Sequence, residues 1–361
     1  MAVPPGQRPM ASTARHGYPK TWPGRSRARE QDICCRRRHR ARRQRHQLRK
    51  RSTFPMSEQI AVVGAGIVGM CTALALAKQN FSVTLIERDQ PPPEGTPDQA
   101  FFNWQRRGAS QFRHPHAFLG LMCSLLEAEY PDLLEAFLLA GARRLNFEDM
   151  VPPHLQPQYS PTPGDEKLWM LLCRRATIES VLREYVQAHA NVTLHNTTYV
   201  TGLSTRRETT PITATGLELT DRLRGNVVTN HAADLIVDAT GRSSKFPRWL
   251  AQATQGPEIE EQRDDAEIVY YTRHYQLKPG VSEPSRHDND PAAGDLGYMK
   301  YGVFPGDGGH FALIVCLPNG ERELREAIKN GAKFDAICRT IPGLVPWIAA
   351  DRAEPTTEPF G

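Results

Sequence analysis

The chain has 361 residues, 39% apolar and 24% charged, enough for two domains or one large one with a modest core. Mean hydropathy is −0.51, and no run approaches the ~18 apolar residues of a membrane-spanning helix, which argues against an integral membrane protein. Seven cysteines, an odd number without a repeating spacing, argue against a disulfide framework and fit a reducing, cytoplasmic setting.

The net charge of +5 conceals a division. Residues 1–55 carry 16 Lys+Arg against 2 Asp+Glu, whereas the rest carries 29 against 38. The basic run 36–51 repels itself and lacks apolar periodicity, so residues 1–55 are expected to be a disordered basic leader. It has no apolar core of a secretory signal. It could touch nucleic acid through phosphate neutralisation, or serve as an organelle-targeting segment. The preferred expectation is an upstream extension that the working protein does not need, since MSEQIAVVGAGIVGM starts at Met56 directly with a strand. Nucleic acid is therefore not the expected partner.

Residues 59–63 form a short apolar, β-branched run, as a buried parallel strand should. Gly64-Ala65-Gly66-Ile67-Val68-Gly69 follows, then an Ala- and Leu-rich helix over 67–79 and a second strand over 81–86 ending in Glu87. Each glycine has a task. Gly64 permits the tight turn, Gly66 lets the backbone approach a diphosphate, and Gly69 lets the helix lie close to the strand. Ala73 keeps the same helix face small. The helix N-terminus, at Ile67 and Val68, offers unpaired N–H groups to negative charge. Glu87 stands 18 residues beyond Gly69, where a carboxylate accepts from ribose hydroxyls and repels a 2′-phosphate. A dinucleotide site other than an NADP site is expected; a ligand-free glycine turn is the plain alternative.

Residues 88–99 are polar and Pro-rich, hence a loop. Trp104 to His116 reads WQRRGASQFRHPH and leads into an apolar helix over 117–130. His114 and His116 across a proline could chelate a metal, but no third ligand follows and the arginines repel a cation. No metal is expected. A polar loop touching a phosphate or flavin is preferred over a solvated interdomain loop.

A strand is expected over 168–173, then a helix from about 176 to 189 whose apolar positions Ile178, Val181, Leu182, Tyr185 and Val186 share one face. Further strands read over 192–195 and 199–203, and a buried one over 233–238 exits into Asp238-Ala239-Thr240-Gly241. That exit could bring backbone against a cofactor, or be an ordinary turn. Strands over 267–277, 298–304 and 310–317 suggest a second sheet, followed by a short helix over 321–330. Tyr270, Tyr271, Tyr275, Tyr298, Tyr301 and Phe304 could line a pocket, although sheet core is the commoner fate. Cys71, Cys123, Cys173, Cys316 and Cys338 read as buried fillers rather than nucleophiles.

GAGIVG with Glu87, the RRGASQFRHPH loop and LIVDATGRSSKFPRWL together resemble, over residues 58–350, the FAD-dependent monooxygenases and oxidoreductases related to para-hydroxybenzoate hydroxylase and geranylgeranyl reductases. The resemblance implies an α/β fold: a Rossmann-like FAD-binding domain with a parallel sheet, plus a mixed or antiparallel β-sheet substrate domain. It implies FAD, with the ADP half on Gly64, Gly66, Ile67, Val68, Gly69, Glu87 and Arg88. Arg175 resembles the arginine that approaches the flavin diphosphate. Gln111 and Arg113 occupy the loop that runs near the flavin, and Asp238, Thr240 and Gly241 the strand end beside the cofactor.

The domain layout that follows is a leader (1–55), FAD-binding segments (56–130 and 168–250, the latter with a β insertion), a substrate-domain insertion or helical connector (131–167), a substrate domain (251–350) and a truncated tail (351–361). Two departures stand out. Thr240-Gly241 replaces the Asp-Gly of hydroxylases in the group. The chain also stops at Gly361 before the Gly-Asp segment that holds the ribityl chain in relatives, while Gly294-Asp295 and Gly306-Asp307 lie among substrate-domain strands. Part of the flavin site is thus expected to be missing.

The expected activity is FAD-dependent oxidation, foremost monooxygenation, of an organic small molecule, with NAD(P)H as a candidate electron donor. His114, His116 and His310 are acid–base candidates only because imidazole titrates near neutrality. The alternatives are a non-catalytic flavoprotein-like fragment and a reductase of isoprenoid double bonds.

Overall fold

The computed structural model describes residues 58–361 apart from 153, 207–211, 222–224, 258 and 286–289. The leader and every reading of it lie outside the described residues. The chain opens with β1 (Gln59–Val63), α1 (Ile67–Ala77) and β2 (Ser82–Ile86). Next come α2 (Pro97–Asn103), β3 (His116–Phe118), α3 (Gly120–Glu129), α4 (Pro131–Leu139), β4 (Arg143–Leu145) and β5 (Met170–Cys173). α5 (Arg175–Ala188) and β6 (Val192–His195) precede a meander of β7 (Thr198–Arg206), β8 (Thr213–Asp221) and β9 (Val227–Ala232). β10 (Leu235–Asp238) and α6 (Phe246–Thr254) follow. The last part holds β11 (Ile268–Leu277), β12 (Ala293–Asp295), β13 (Lys300–Pro305), β14 (His310–Pro318), α7 (Arg322–Ala327), α8 (Gly331–Cys338), α9 (Val345–Ile348) and β15 (Ala353–Pro355).

The first sheet has the order β10-β1-β2-β6 and is parallel throughout. Side chains of a strand alternate between faces, and both faces here are covered. Ile60 and Val62 enter a core with α1 and α5, whereas Ala61 and Val63 enter another with the meander and Phe246. Such double burial explains why β1 reads as an unbroken apolar run. The second large sheet, β12-β13-β14-β11-β15, pairs antiparallel and packs against α8 and α9 through Tyr275, Phe311, Phe334 and Trp347. The fold is thus α/β, a Rossmann-like parallel sheet joined to an antiparallel one.

Three expectations are corrected. The loop over 88–99 runs only to Thr96, and its last three residues open α2, because Thr96 and Gln99 form a reciprocal capping box with Pro97 in the first turn. The helix over 117–130 starts only at Gly120, because 116–118 pair with β5 beyond the constraint of Pro115. The strand expected over 168–173 is present as β5, which starts at Met170 and joins β3 and β4 in a separate antiparallel sheet. The strand over 233–238 is no buried strand: β10 lies at the edge of its sheet, with Leu235 exposed.

Of the pocket aromatics, Tyr271, Tyr275 and Tyr301 are buried in the sheet core, while Tyr270, Tyr298 and Phe304 are exposed. Cys123, Cys173 and Cys338 are buried, but Cys71 and Cys316 are only half-buried; all five are free. Among the described residues no helix is long and apolar enough to cross a membrane.

Candidate functional site

Three glycines shape the exit of β1 for three different reasons. Gly64 has φ +101°, and an added Cβ would meet the Ala239 carbonyl oxygen at 2.6 Å. The parallel register sets Val63 beside Asp238, so the exits of β1 and β10 touch. A Cβ on Gly69 would lie 1.8 Å from the Gly64 carbonyl oxygen, so only glycine lets α1 begin this close. A Cβ on Gly66 would meet nothing within 4 Å. Gly66 is also the N-cap of α1, no side chain caps the helix, and its first turn carries no acid.

Glu87 is buried behind this turn. Its Oε2 accepts from the Ala65 N–H at 3.0 Å, and its Oε1 from the Asp89 N–H at 2.9 Å. Arg106 Nη1 lies 3.0 Å from Oε2, while Arg106 Nη2 donates to the Ala65 carbonyl at 3.1 Å. Burial disfavours the Glu87 charge, but Arg106 and the two amides outweigh it and hold the carboxyl below its ordinary pKa.

Arg106 also pairs with Asp89 at 3.1 Å and with Glu179 at 2.8 Å, and Glu179 pairs with Arg175 at 2.5 Å. Arg183 completes the buried group; it donates to Asn196, and burial together with Arg106 lowers its pKa to about 10. Three arginines and three carboxylates thus balance behind the glycine turn. The sequence reading missed Glu179 and Arg183; the Arg175–Glu179 spacing of four on one helix was the available signal.

The 106–116 loop splits in two directions. Gln111 faces a cavity at the strand ends. Arg113 does not line that cavity: its Nε and Nη2 donate to the carbonyls of Phe101 and Phe102 at the end of α2, at 3.1 and 2.9 Å. His116 faces the cavity. Its Nδ1 sits 2.7 Å from the His114 carbonyl, so Nδ1 carries the proton and Nε2 accepts from Arg175 Nη1 at 3.1 Å. Burial lowers the His116 pKa, and Arg175 adds to that.

Asp238 organises the β10 exit. Its carboxylate accepts from the Thr240 N–H at 3.0 Å, the Thr240 hydroxyl at 2.6 Å and the Ser244 hydroxyl. The turn so fixed places Thr240 and Gly241 on the cavity wall, followed by Lys245, Phe246 and Trp249.

These pieces enclose a cavity of about 560 Å³ across the C-terminal ends of β1 and β2. Gly64, Gly66, Ile67, Val68, Glu87, Arg88, Gln111, Arg175, Thr240 and Gly241 all line it. The backbone at Gly66 is a cradle that a side chain would fill, with uncapped helical amides beside it. The residues present therefore fit an anionic diphosphate.

A second cavity, of about 10 Å³, shares His116 and Arg175 with the first and is bordered by His114, Arg174 and His274. His274 Nε2 lies 2.6 Å from the Arg113 carbonyl, and burial lowers its pKa to about 4. His114 Nδ1 lies 2.8 Å from Thr272 Oγ1. Asp307 of the Gly306-Asp307 pair is buried against Arg174, accepting from its backbone N–H at 2.8 Å and its Nη2 at 2.6 Å. Among the described residues no group of three or more His, Cys, Asp or Glu side chains could hold a metal.

The family model described as FAD dependent oxidoreductase matches residues 59–316. Protein Rv3254 of Mycobacterium tuberculosis is 26% identical over 256 residues, which is 67% of this chain and 51% of that protein. The chain thus spans about half the length of that curated relative. Among solved structures, pqsL, a probable FAD-dependent monooxygenase from Pseudomonas aeruginosa, superposes with a TM-score of 0.54 at 14% identity, covering 83% of this chain and 73% of that one. The p-nitrophenol 4-monooxygenase PnpA from Pseudomonas putida gives a TM-score of 0.53 at 14% identity, with 84% and 67% covered. At such identities the likeness shows the fold alone.

Proposed function

The chain belongs to the FAD dependent oxidoreductase family, and on that premise we propose that it holds FAD in the cavity at the β1 and β2 ends and oxygenates an organic small molecule. The observation that carries this reading is the open cradle at Gly66 inside a cavity of about 560 Å³. Gly64, Gly66, Ile67 and Val68 would meet the diphosphate, and Gly69 lets α1 begin close enough to present them. Glu87 holds the turn in shape through Ala65, and Arg88 stands exposed at the rim. Thr240 and Gly241 would flank the cofactor, positioned by Asp238.

Bound FAD would supply the electron transfer and oxygen chemistry that no side chain can. The chain's own residues bind and orient. Arg175, fixed by Glu179, presents a cation to the cavity wall. Gln111 offers a donor and an acceptor there. His116 keeps its proton on Nδ1 and turns Nε2 toward Arg175. NAD(P)H is the electron donor we assign to this scheme. The five cysteines among the described residues are free, which fits a reducing compartment, and we assign the protein to the cytoplasm.

The test is a spectrum of the purified full chain with FAD added. Retained flavin absorbance near ~450 nm that NADH or NADPH bleaches supports the reading. A protein that returns colourless from desalting contradicts it. Oxygenation is then separated from reduction of a double bond by labelling the product with oxygen-18 gas.

A further inference from the structure

One wall of the large cavity carries an aromatic surface that the glycine motif leaves unexplained. α6 places Phe246 and Trp249 three residues apart, on one face. Their ring centroids are 5.0 Å apart, inclined at 64°. Phe246 is buried in the core between the parallel sheet and the meander, and Trp249 packs against that core while remaining half-buried. Both line the cavity, together with Tyr199 and Val200 of β7.

Gln111, His116 and Arg175 give the cavity a polar and cationic lining, as do Arg88, Arg106 and Lys245, whereas Tyr199, Phe246 and Trp249 supply its aromatic lining. The Thr198 N–H, one residue before Tyr199, donates to the Glu87 carbonyl at 3.0 Å, so β7 begins beside the tip of β2. The glycine turn and the acid that ends the second strand are where a dinucleotide's adenosine is placed.

We infer that Trp249 is the stacking platform for the adenine base of the bound dinucleotide. The inference rests on the FAD reading above. A half-buried indole over a fixed phenyl ring offers a rigid π-face, and base–aromatic stacking corresponds to about a 5- to 100-fold change in affinity.

Trp249 also reports on its own occupancy. Of the five tryptophans, Trp104, Trp169 and Trp347 are at most 2% exposed and none lines the cavity. Trp22 lies outside the described residues. The experiment titrates the full chain with ADP, which carries no flavin, and follows tryptophan emission, with calorimetry for affinity. FAD binding is measured in parallel. ADP should shift or quench the emission of the wild type. Trp249→Leu should abolish that response and weaken ADP about 5- to 100-fold, whereas Trp249→Phe should keep most of the affinity.

ADP binding without any change in emission overturns the inference, as does equal ADP affinity in Trp249→Leu. If FAD binds the wild type in either of those cases, the FAD reading stands and only the stacking role falls. If neither ADP nor FAD binds the wild type, the FAD reading fails first and the inference falls with it.

Discussion

Arg106 grips Glu87 from beneath the glycine turn: Nη1 and Oε2 are 3.0 Å apart, and both side chains are buried. The same guanidinium holds the Ala65 carbonyl, while Glu87 holds the Ala65 N–H. The turn's shape is thus set by two residues far apart in sequence before any ligand arrives.

Replacing Arg106 with Gln strands three buried carboxylates, Glu87, Asp89 and Glu179, against fewer cations. Breaking one member of a buried ion-pair group costs about 3–5 kcal/mol. A urea unfolding midpoint should drop accordingly. A midpoint equal to wild type would mean that the network contributes nothing to holding the turn.

The glycines should separate by their readout. Gly69→Ala would push a Cβ to 1.8 Å from a backbone oxygen, and Gly64→Ala would combine a clash with φ +101°. Both should destabilise the protein without any ligand present. Gly66→Ala has φ −78° and open space, so without ligand it should lose only the preference for glycine over alanine at an N-cap, about 1 kcal/mol and less than either of the other two. Thermal melts of the three variants check the order.

His274 makes stability fall in acid. Its pKa is near 4 in the folded protein against 6.5 for a free imidazole. Above pH 6.5 both states are neutral and it contributes no pH dependence. As pH falls from 6.5 toward 4, only the unfolded chain takes up the proton, so stability declines by about 2 kcal/mol at pH 5. Unfolding midpoints at pH 7 and 5 measure the decline, and His274→Phe should make it shallower, leaving the share of His114, His116 and His310, which burial also lowers.

Arg175 lowers the pKa of His116 by its positive charge. Arg175→Met should move the His116 titration upward, as imidazole proton shifts in NMR would show. An unchanged titration would mean that the 3.1 Å contact is absent in solution.

Much of the parallel sheet was legible in the sequence because double burial writes short apolar runs bounded by glycine and acid. β1 and β2 were readable for that reason. α2 was obscured by the prolines of 88–99, although Thr96-Pro97-Asp98-Gln99 carries a helix-start signal. β3 spans three residues and owes its existence to pairing with β5, which no local pattern records. In the site, the three glycines were legible, since each answers a backbone requirement. The inward turn of Glu87 was not, because it depends on Arg106, 19 residues on, and on Glu179, 92 residues on. Trp249 was passed over inside KFPRWL because only the tertiary fold turns it to the cavity.

The central claim is that the bare backbone at Gly66 receives the diphosphate of FAD. Calorimetric titration of FAD into the full chain, wild type beside Gly66→Val, tests it most directly. The account predicts one-site binding to wild type and a loss of at least about 100-fold in the variant, the range open to losing a charge-assisted amide contact plus a steric block, with folding intact by circular dichroism. Equal affinity in the two proteins would contradict it.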